Sequence, residues 1–192
     1  MRLPIRKYGD PALRAKGKRI ETVDERIHSL AADMLETMHA ANGVGLAAQQ
    51  VGEALQLTVL DVSQVEDRPS TMKLNGTVVA DLATAMPLVL LNPTLLLGED
   101  KDSGTEGCLS FPDITAEIDR AASVELEAET LDGEKIRIEA SGLLSRALQH
   151  EVDHLNGILF IDRMSSAAKA SHSSKLKRLQ KETQTKSPYM SP

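Results

Sequence analysis

Between residues 123 and 157 an alternating hairpin runs straight into an amphipathic helix, and this succession restricts the fold more than any other stretch of the chain. In "SVELEAETLDGEKIRIEA", Val124, Leu126 and Ala128 alternate with Glu125, Glu127 and Glu129, and Ile136 and Ile138 alternate with Lys135 and Arg137. A period of two gives each strand one apolar and one charged face. A two-residue Asp-Gly turn would set apolar against charged residues. A three-residue loop, 131–133 with Gly133 left-handed, pairs Leu126 with Ile138 and Glu127 with Arg137, and this second register is the one predicted. The apolar face then needs a cover. "SGLLSRALQHEVDHLNG" supplies a helix, with Ser141 as the predicted N-cap and Gly157 as the stop.

Elsewhere the pattern predicts a first helix in "TVDERIHSLAADMLETMHAANG", where Ile27, Leu30, Ala31, Met34, Leu35 and Met38 recur at helical spacing. Thr22 with Glu25 reads as a capping box and Gly43 as the stop. The glycine-rich "GVGLAAQQVG" follows, then a strand-like "LQLTVLDV". Residues 63–87 have mixed polarity and read as an excursion between strands, with Asn75-Gly76 as a hairpin turn.

At 192 residues and 41% apolar content the chain suits one core. The expected architecture is α+β, with mixed or antiparallel strands packed around the helix bearing residues 149–157. Its domain plan is a single unit over 1–165, carrying the 63–87 excursion, followed by a basic helix or tail over 166–192. A helix around 167–182 is expected there, with loose final residues. From residue 163 onward the charge is +6, so the remainder carries −12. An acidic body with a basic end suits contact with something anionic. The N-terminus lacks the apolar run of a secretory signal, and the most apolar stretch is interrupted by Asp81 and Pro87, so a soluble cytoplasmic protein is expected.

On the second helix His150 and His154 stand four apart, one face pointing two ring nitrogens toward a common point, with Glu151 beside them. In such an HExxH arrangement the glutamate is a proton carrier rather than a ligand. Two familiar third ligands fail on reading onward. A histidine six residues beyond the second would fall at Phe160, and the sole downstream glutamate is Glu182, in the basic end. The third ligand should therefore lie upstream, where "EGCLSFP" carries the lone cysteine, Cys108. With one cysteine no internal disulfide can form. A thiolate is a good ligand for zinc or ferrous iron, and two histidines with one cysteine would leave a fourth position open, as catalytic sites do. Taken by itself, Cys108 reads more simply as a small buried hydrophobe.

"GVGLAAQQ" (43–50), "EGCLSFP" (106–112) and "QHEVDHLNG" (149–157) resemble, in order and spacing, the three signature motifs of the bacterial-type peptide deformylases. The likeness runs from "RKYGDPALR" through "GILFIDRM", leaving out the excursion and the tail. It implies an enzyme that removes the formyl group from N-terminal formyl-methionine of nascent chains and releases formate. It further implies Cys108, His150 and His154 as ligands of one divalent ion, natively Fe(II), replaceable by zinc, nickel or cobalt. Glu151 becomes the general base, and Gln50 with the Leu109 N–H the donors to the oxygen that gains charge. Gly43 and Gly45 would let a peptide backbone approach closely. Val44, Leu143 and Ala147 are candidates for the methionine pocket, since Leu143, Ala147, His150 and His154 share a helix face.

Around these, Glu106 is a candidate to orient the metal loop, and for Asp153 an exposed place is an equal alternative. Arg146, four residues before His150, could reach the same region to bind a substrate carbonyl or an anion, but such an arginine more often snorkels to solvent and is left out of the site. Some members of the family carry a substrate-reaching arginine seven residues after the cysteine, where this chain has Thr115. Since the family works on chains leaving the ribosome, the basic tail suggests contact with ribosomal RNA. A monomer with no membrane association is expected. The rival readings are an endopeptidase built on the same helix and an inactive metal-binding relative.

Overall fold

The computed structural model describes residues 1–186. Its main sheet has seven strands, all paired antiparallel: β1 (Gly45–Ala47), β2 (Leu57–Leu60), β3 (Ser70–Leu74), β4 (Thr77–Val78), β5 (Leu88–Leu97), β8 (Ser123–Glu129) and β9 (Lys135–Gly142), in the order β1-β2-β5-β8-β9-β3-β4. A separate two-stranded sheet is formed by β6 (Lys101–Cys108) and β7 (Phe111–Ala121). The helices are α1 (Glu25–Ala40), α2 (Leu143–Leu155), the single turn α3 (Phe160–Arg163) and α4 (Ser166–Lys186). The α+β architecture expected from the sequence is the one found. No helix among the described residues is long and apolar enough to cross a membrane.

The predicted hairpin register holds, with Leu126 opposite Ile138 and Glu127 opposite Arg137, and Gly133 left-handed at φ 80°. Its inward residues Val124, Leu126, Ile138 and Ala140 pack against Leu144 and Leu148 of α2, so the helix covers the face that needed covering. The helix start differs from expectation. Ser141 lies in β9 opposite Thr71, and Gly142, at φ 68°, stands at the N-cap position without a side-chain cap. The excursion supplies the missing acceptors: Ser70 Oγ takes the Leu144 N–H at 2.9 Å and the Pro69 carbonyl takes that of Leu143 at 3.3 Å. A Cβ at Gly142 would sit 2.1 Å from that carbonyl, so glycine is required there. At the other end Gly157, at φ 73°, closes α2 as predicted.

Residues 63–87 are thus more than an excursion, because β3 extends the main sheet along β9. The Asn75-Gly76 turn joins β3 to β4 with both residues at positive φ, as its sequence predicts. α1 begins at Asp24 rather than Thr22. The Asp24 carboxylate accepts the Ile27 N–H at 3.0 Å, the position an N-cap must serve. Asn42, at φ 53°, takes the left-handed place that ends this helix, leaving Gly43 free to enter the site. α4 covers 166–186 and buries Leu176 against the cluster of Phe111, Ile118 and Phe160. The predicted looseness of the last residues concerns 187–192, which lie outside the described residues.

Candidate active site

His150 and His154 occupy the same face of α2, their ring centroids 5.0 Å apart. Cys108 ends β6 and brings its sulfur to 3.4 Å from His154 Nε2. One donor atom from each of these three residues lies within 4.8 Å of the other two, the one such group of three among the described residues. Tetrahedral bonds of zinc to sulfur and nitrogen imply donor spacings of about 3.4–3.6 Å, and the Cys108–His154 separation already matches. The donor chemistry fits as well, a thiolate and two imidazoles being suited to zinc or iron.

Protonation in the cluster is what a cation would exploit. Burial opposes charge on His150, yet hydrogen bonds to Cys108 and Glu106 hold its pKa well above the ordinary histidine value. Burial, reinforced by the neighbouring His150, holds His154 well below it. A divalent ion bound here would be held by Cys108, His150 and His154 in their deprotonated forms, so its binding would be favoured as pH rises.

Behind His150 lies a buried chain of charges. Its Nδ1 meets Glu106 Oε2 at 2.9 Å, which turns Nε2 toward Cys108 and His154. Glu106 also receives Arg120 at 2.8 and 3.0 Å and Arg146 at 3.0 Å. Burial favours a protonated Glu106, but the bonds from His150 and Arg120 prevail and lower its pKa to about 2. Arg120 continues to Asp153 at 2.5 Å, and Asp153 to Arg163 at 2.7 Å. Asp153 is therefore buried rather than exposed, at 9% of its surface. Arg146 corrects the expectation too. Only 5% exposed, it donates to the carbonyls of Asp102, at 2.8 Å, and Ile118, at 2.6 Å, which ties α2 to both strands of the small sheet.

Glu151 is buried against β1 and β2, its carboxylate 3.5 Å from the Thr58 hydroxyl. Burial raises its pKa to about 7, a useful value for a group that must take and return a proton near neutrality. Gly45 has a reason the sequence did not reveal: a Cβ there would lie 2.3 Å from Glu151 Oε1. Gly43 likewise leaves room for Leu109, whose Cδ1 would be 2.7 Å from an added Cβ. In Gly45→Ala the carboxylate must retreat by roughly 1 Å, a displacement that typically costs about 10²-fold in rate. Steady-state formate release should show that loss in kcat.

Gln50 lies in a short 3-10 turn over Ala48–Val51, just after β1. Its Oε1 accepts the Ala47 N–H at 2.9 Å, so its Nε2 must be the end facing the site, 3.2 Å from Ser110 Oγ and 3.5 Å from Cys108 Sγ. Lys7, unnoticed in the sequence, donates to the Leu109 carbonyl at 2.6 Å and pins the segment after Cys108. Burial lowers its pKa. A cavity of roughly 500 Å³ opens over these groups, walled by Val44, Leu143 and Ala147 and bordered along one side by residues 105–108 of β6. Phe160, at the position where some proteases have a third histidine, instead packs 6.1 Å from the His150 ring.

Fold and site together define the class of a metal-dependent hydrolase built on an HExxH helix, with a cysteine from a separate strand beside the two histidines. Residues 2–170 match the family model described as polypeptide deformylase. A peptide deformylase of Methylacidiphilum infernorum is 44% identical over 174 residues, 91% of this chain and 90% of that protein. One of Acinetobacter baumannii is 44% identical over 85% of this chain and 83% of its own. Among solved structures, peptide deformylase 1B of Arabidopsis thaliana, in complex with an inhibitor, superposes with a TM-score of 0.83 at 37% identity, covering 99% of this chain and 97% of that one. That of Thermus thermophilus gives 0.79 at 37% identity over 95% and 99%. The chain belongs to the polypeptide deformylase family, metal-dependent hydrolases that remove the formyl group from the N-terminus of nascent polypeptides.

Proposed function

We propose that Cys108, His150 and His154 hold a single divalent ion, natively Fe(II), with zinc, nickel or cobalt able to replace it, and that Glu151 is the general base of deformylation. The support is the convergence of one sulfur and two imidazoles within 4.8 Å, beside a buried carboxylate whose pKa is about 7. When bound, such an ion supplies Lewis acidity to the formyl group and to water. The chain's own groups do the remainder. Glu151 takes a proton from the attacking water and delivers it to the departing amine, so that water and the formyl-peptide become formate and a free N-terminus. Gln50 Nε2 and the Leu109 N–H donate to the oxygen on which charge develops. Val44, Leu143 and Ala147 receive the methionine side chain, with Gly43 and Gly45 at the mouth of that pocket.

The test combines metal analysis with formate release from a formyl-Met tripeptide by anaerobically prepared protein, beside Cys108→Ala and an acetyl-Met control. Stoichiometric metal and release from the formyl substrate alone are expected, both lost in the variant. Cys108→Ala that keeps its metal would overturn the ligand set, and a chain that cleaves internal peptide bonds would revive the endopeptidase reading.

The same reading makes the protein a cytoplasmic monomer whose basic helix meets the ribosome. Lys175, Lys177, Arg178 and Lys181 are exposed on α4. Because Leu176 on the same helix is buried in the core, charge reversal tests this better than deletion. Reversal of these four should weaken ribosome co-sedimentation at low salt while the folded chain persists. Unchanged co-sedimentation would remove the tail from the interaction.

A further inference from the structure

We infer that Arg68, contributed by the segment between β2 and β3, is a specificity-determining residue that favours an acidic side chain at the second or third residue of the formylated peptide. The inference rests on the site proposed above.

Three lysine or arginine side chains border the cavity, Lys7, Arg68 and Arg146. Two have settled partners: Lys7 holds the Leu109 carbonyl, and Arg146 holds Glu106 and the carbonyls of β6 and β7. Arg68 is different. Of its five N–H groups, one donates to the Thr105 carbonyl at 3.2 Å, and among the described residues it forms no ion pair. The nearby Glu117 carboxylate is engaged by the Thr105 hydroxyl instead. A half-buried guanidinium facing a cleft without a carboxylate partner is well placed to bind one from a ligand.

The location follows from the strand. β6 has a partner only on its β7 side, and the cavity runs along it from Cys108 back to Thr105. At about 3.3 Å per residue, Thr105 lies roughly 10 Å from Cys108. A peptide whose formyl group sits at Cys108 and whose chain extends along β6 therefore brings its second or third residue to Arg68. The arginine is also held in place. Immediately after it, Pro69 and Ser70 accept the first two amides of α2, and Ser70 pairs with Gly142. That framework fixes the backbone beside Arg68, and the Thr105 carbonyl holds the guanidinium at the rim.

The test uses the Fe(II)-loaded full chain with two series of C-terminally amidated peptides, formyl-Met-X-Ala and formyl-Met-Ala-X, where X is Glu, Gln or Lys. Amidation removes a terminal carboxylate that could mimic Glu. The quantity read is the ratio of kcat/KM for Glu over Lys, which cancels any general effect of a substitution. At low salt the wild-type ratio should be about threefold to fivefold in one series, the size expected of a partly exposed ion pair, and should shrink as salt rises. Arg68→Ala should bring it to about one, and Arg68→Glu should invert it. A ratio near one in wild type, or one unchanged by Arg68→Ala, overturns the inference. If wild type releases no formate even from the Gln peptides, the site assignment itself fails and this inference falls with it. Formate release without charge preference removes Arg68 alone.

Discussion

Glu151→Gln lowers kcat for formate release by about 10³-fold, within the range that a positioned acid–base group contributes, while metal content stays at the wild-type level. Gln preserves the shape of the side chain and can still meet the Thr58 hydroxyl, but it cannot accept the proton of the attacking water. The protein should tolerate the change, because burial already disfavours the charged carboxylate and pushes its pKa to about 7. An unchanged or slightly raised Tm beside a lost kcat therefore separates a chemical role from a structural one. If kcat falls less than tenfold with metal retained, Glu151 is not the general base.

Arg120→Met acts on stability. It leaves Glu106 and Asp153 buried without the guanidinium that joins them. Removing one partner of a buried ion pair typically costs about 3–5 kcal/mol, and the lower end applies, since Glu106 keeps Arg146 and His150 and Asp153 keeps Arg163. For a chain of this size each kcal/mol lowers Tm by about 2–4 °C, so thermal unfolding should begin on the order of 10 °C earlier. Metal affinity should also fall, because Glu106 orients His150 through its Nδ1. A Tm within 2–3 °C of wild type would show that the buried network carries little.

The same network sets an acid limit. The Glu106 pKa lies near 2 in the folded chain, below its ordinary value of 4.5. A depressed carboxylate contributes stability that is present above the unfolded value and lost as pH falls toward the folded one. Urea midpoints should decline across that window, and Glu106→Gln should flatten the decline.

Local periodicity carried much of the fold. Alternation in 123–138 specified the hairpin and its register, because a slip of one residue would have turned Leu126 and Ile138 to solvent. The i, i+4 spacing on α2 brought His150 and His154 together for the same kind of reason. Errors fell where a remote segment supplied what a neighbour might have. Ser141 looked like the cap of α2, yet Ser70 performs that task from across the sheet. Arg146 looked solvent-bound and the exposure of Asp153 stayed open because helix spacing alone cannot reveal a buried partner on another element. One signal was available: Arg120 stands at an inward position of the alternating run in β7, where a charge needs an internal counterpart.

What the sequence by itself determined was every interaction written in short-range spacing: the hairpin, the paired histidines with their glutamate, the left-handed Gly133 and Gly157, and the motif order that marks the family. Only the tertiary structure decided which groups meet from far apart. Cys108 reaches His154 because β6 ends beside α2, Gly45 is bare because Glu151 occupies its side-chain space, and Arg68 reaches the cleft because β3 is pinned to the start of α2. Such contacts depend on how separate elements pack, and the spacing of residues along one element contains no record of the distance to another.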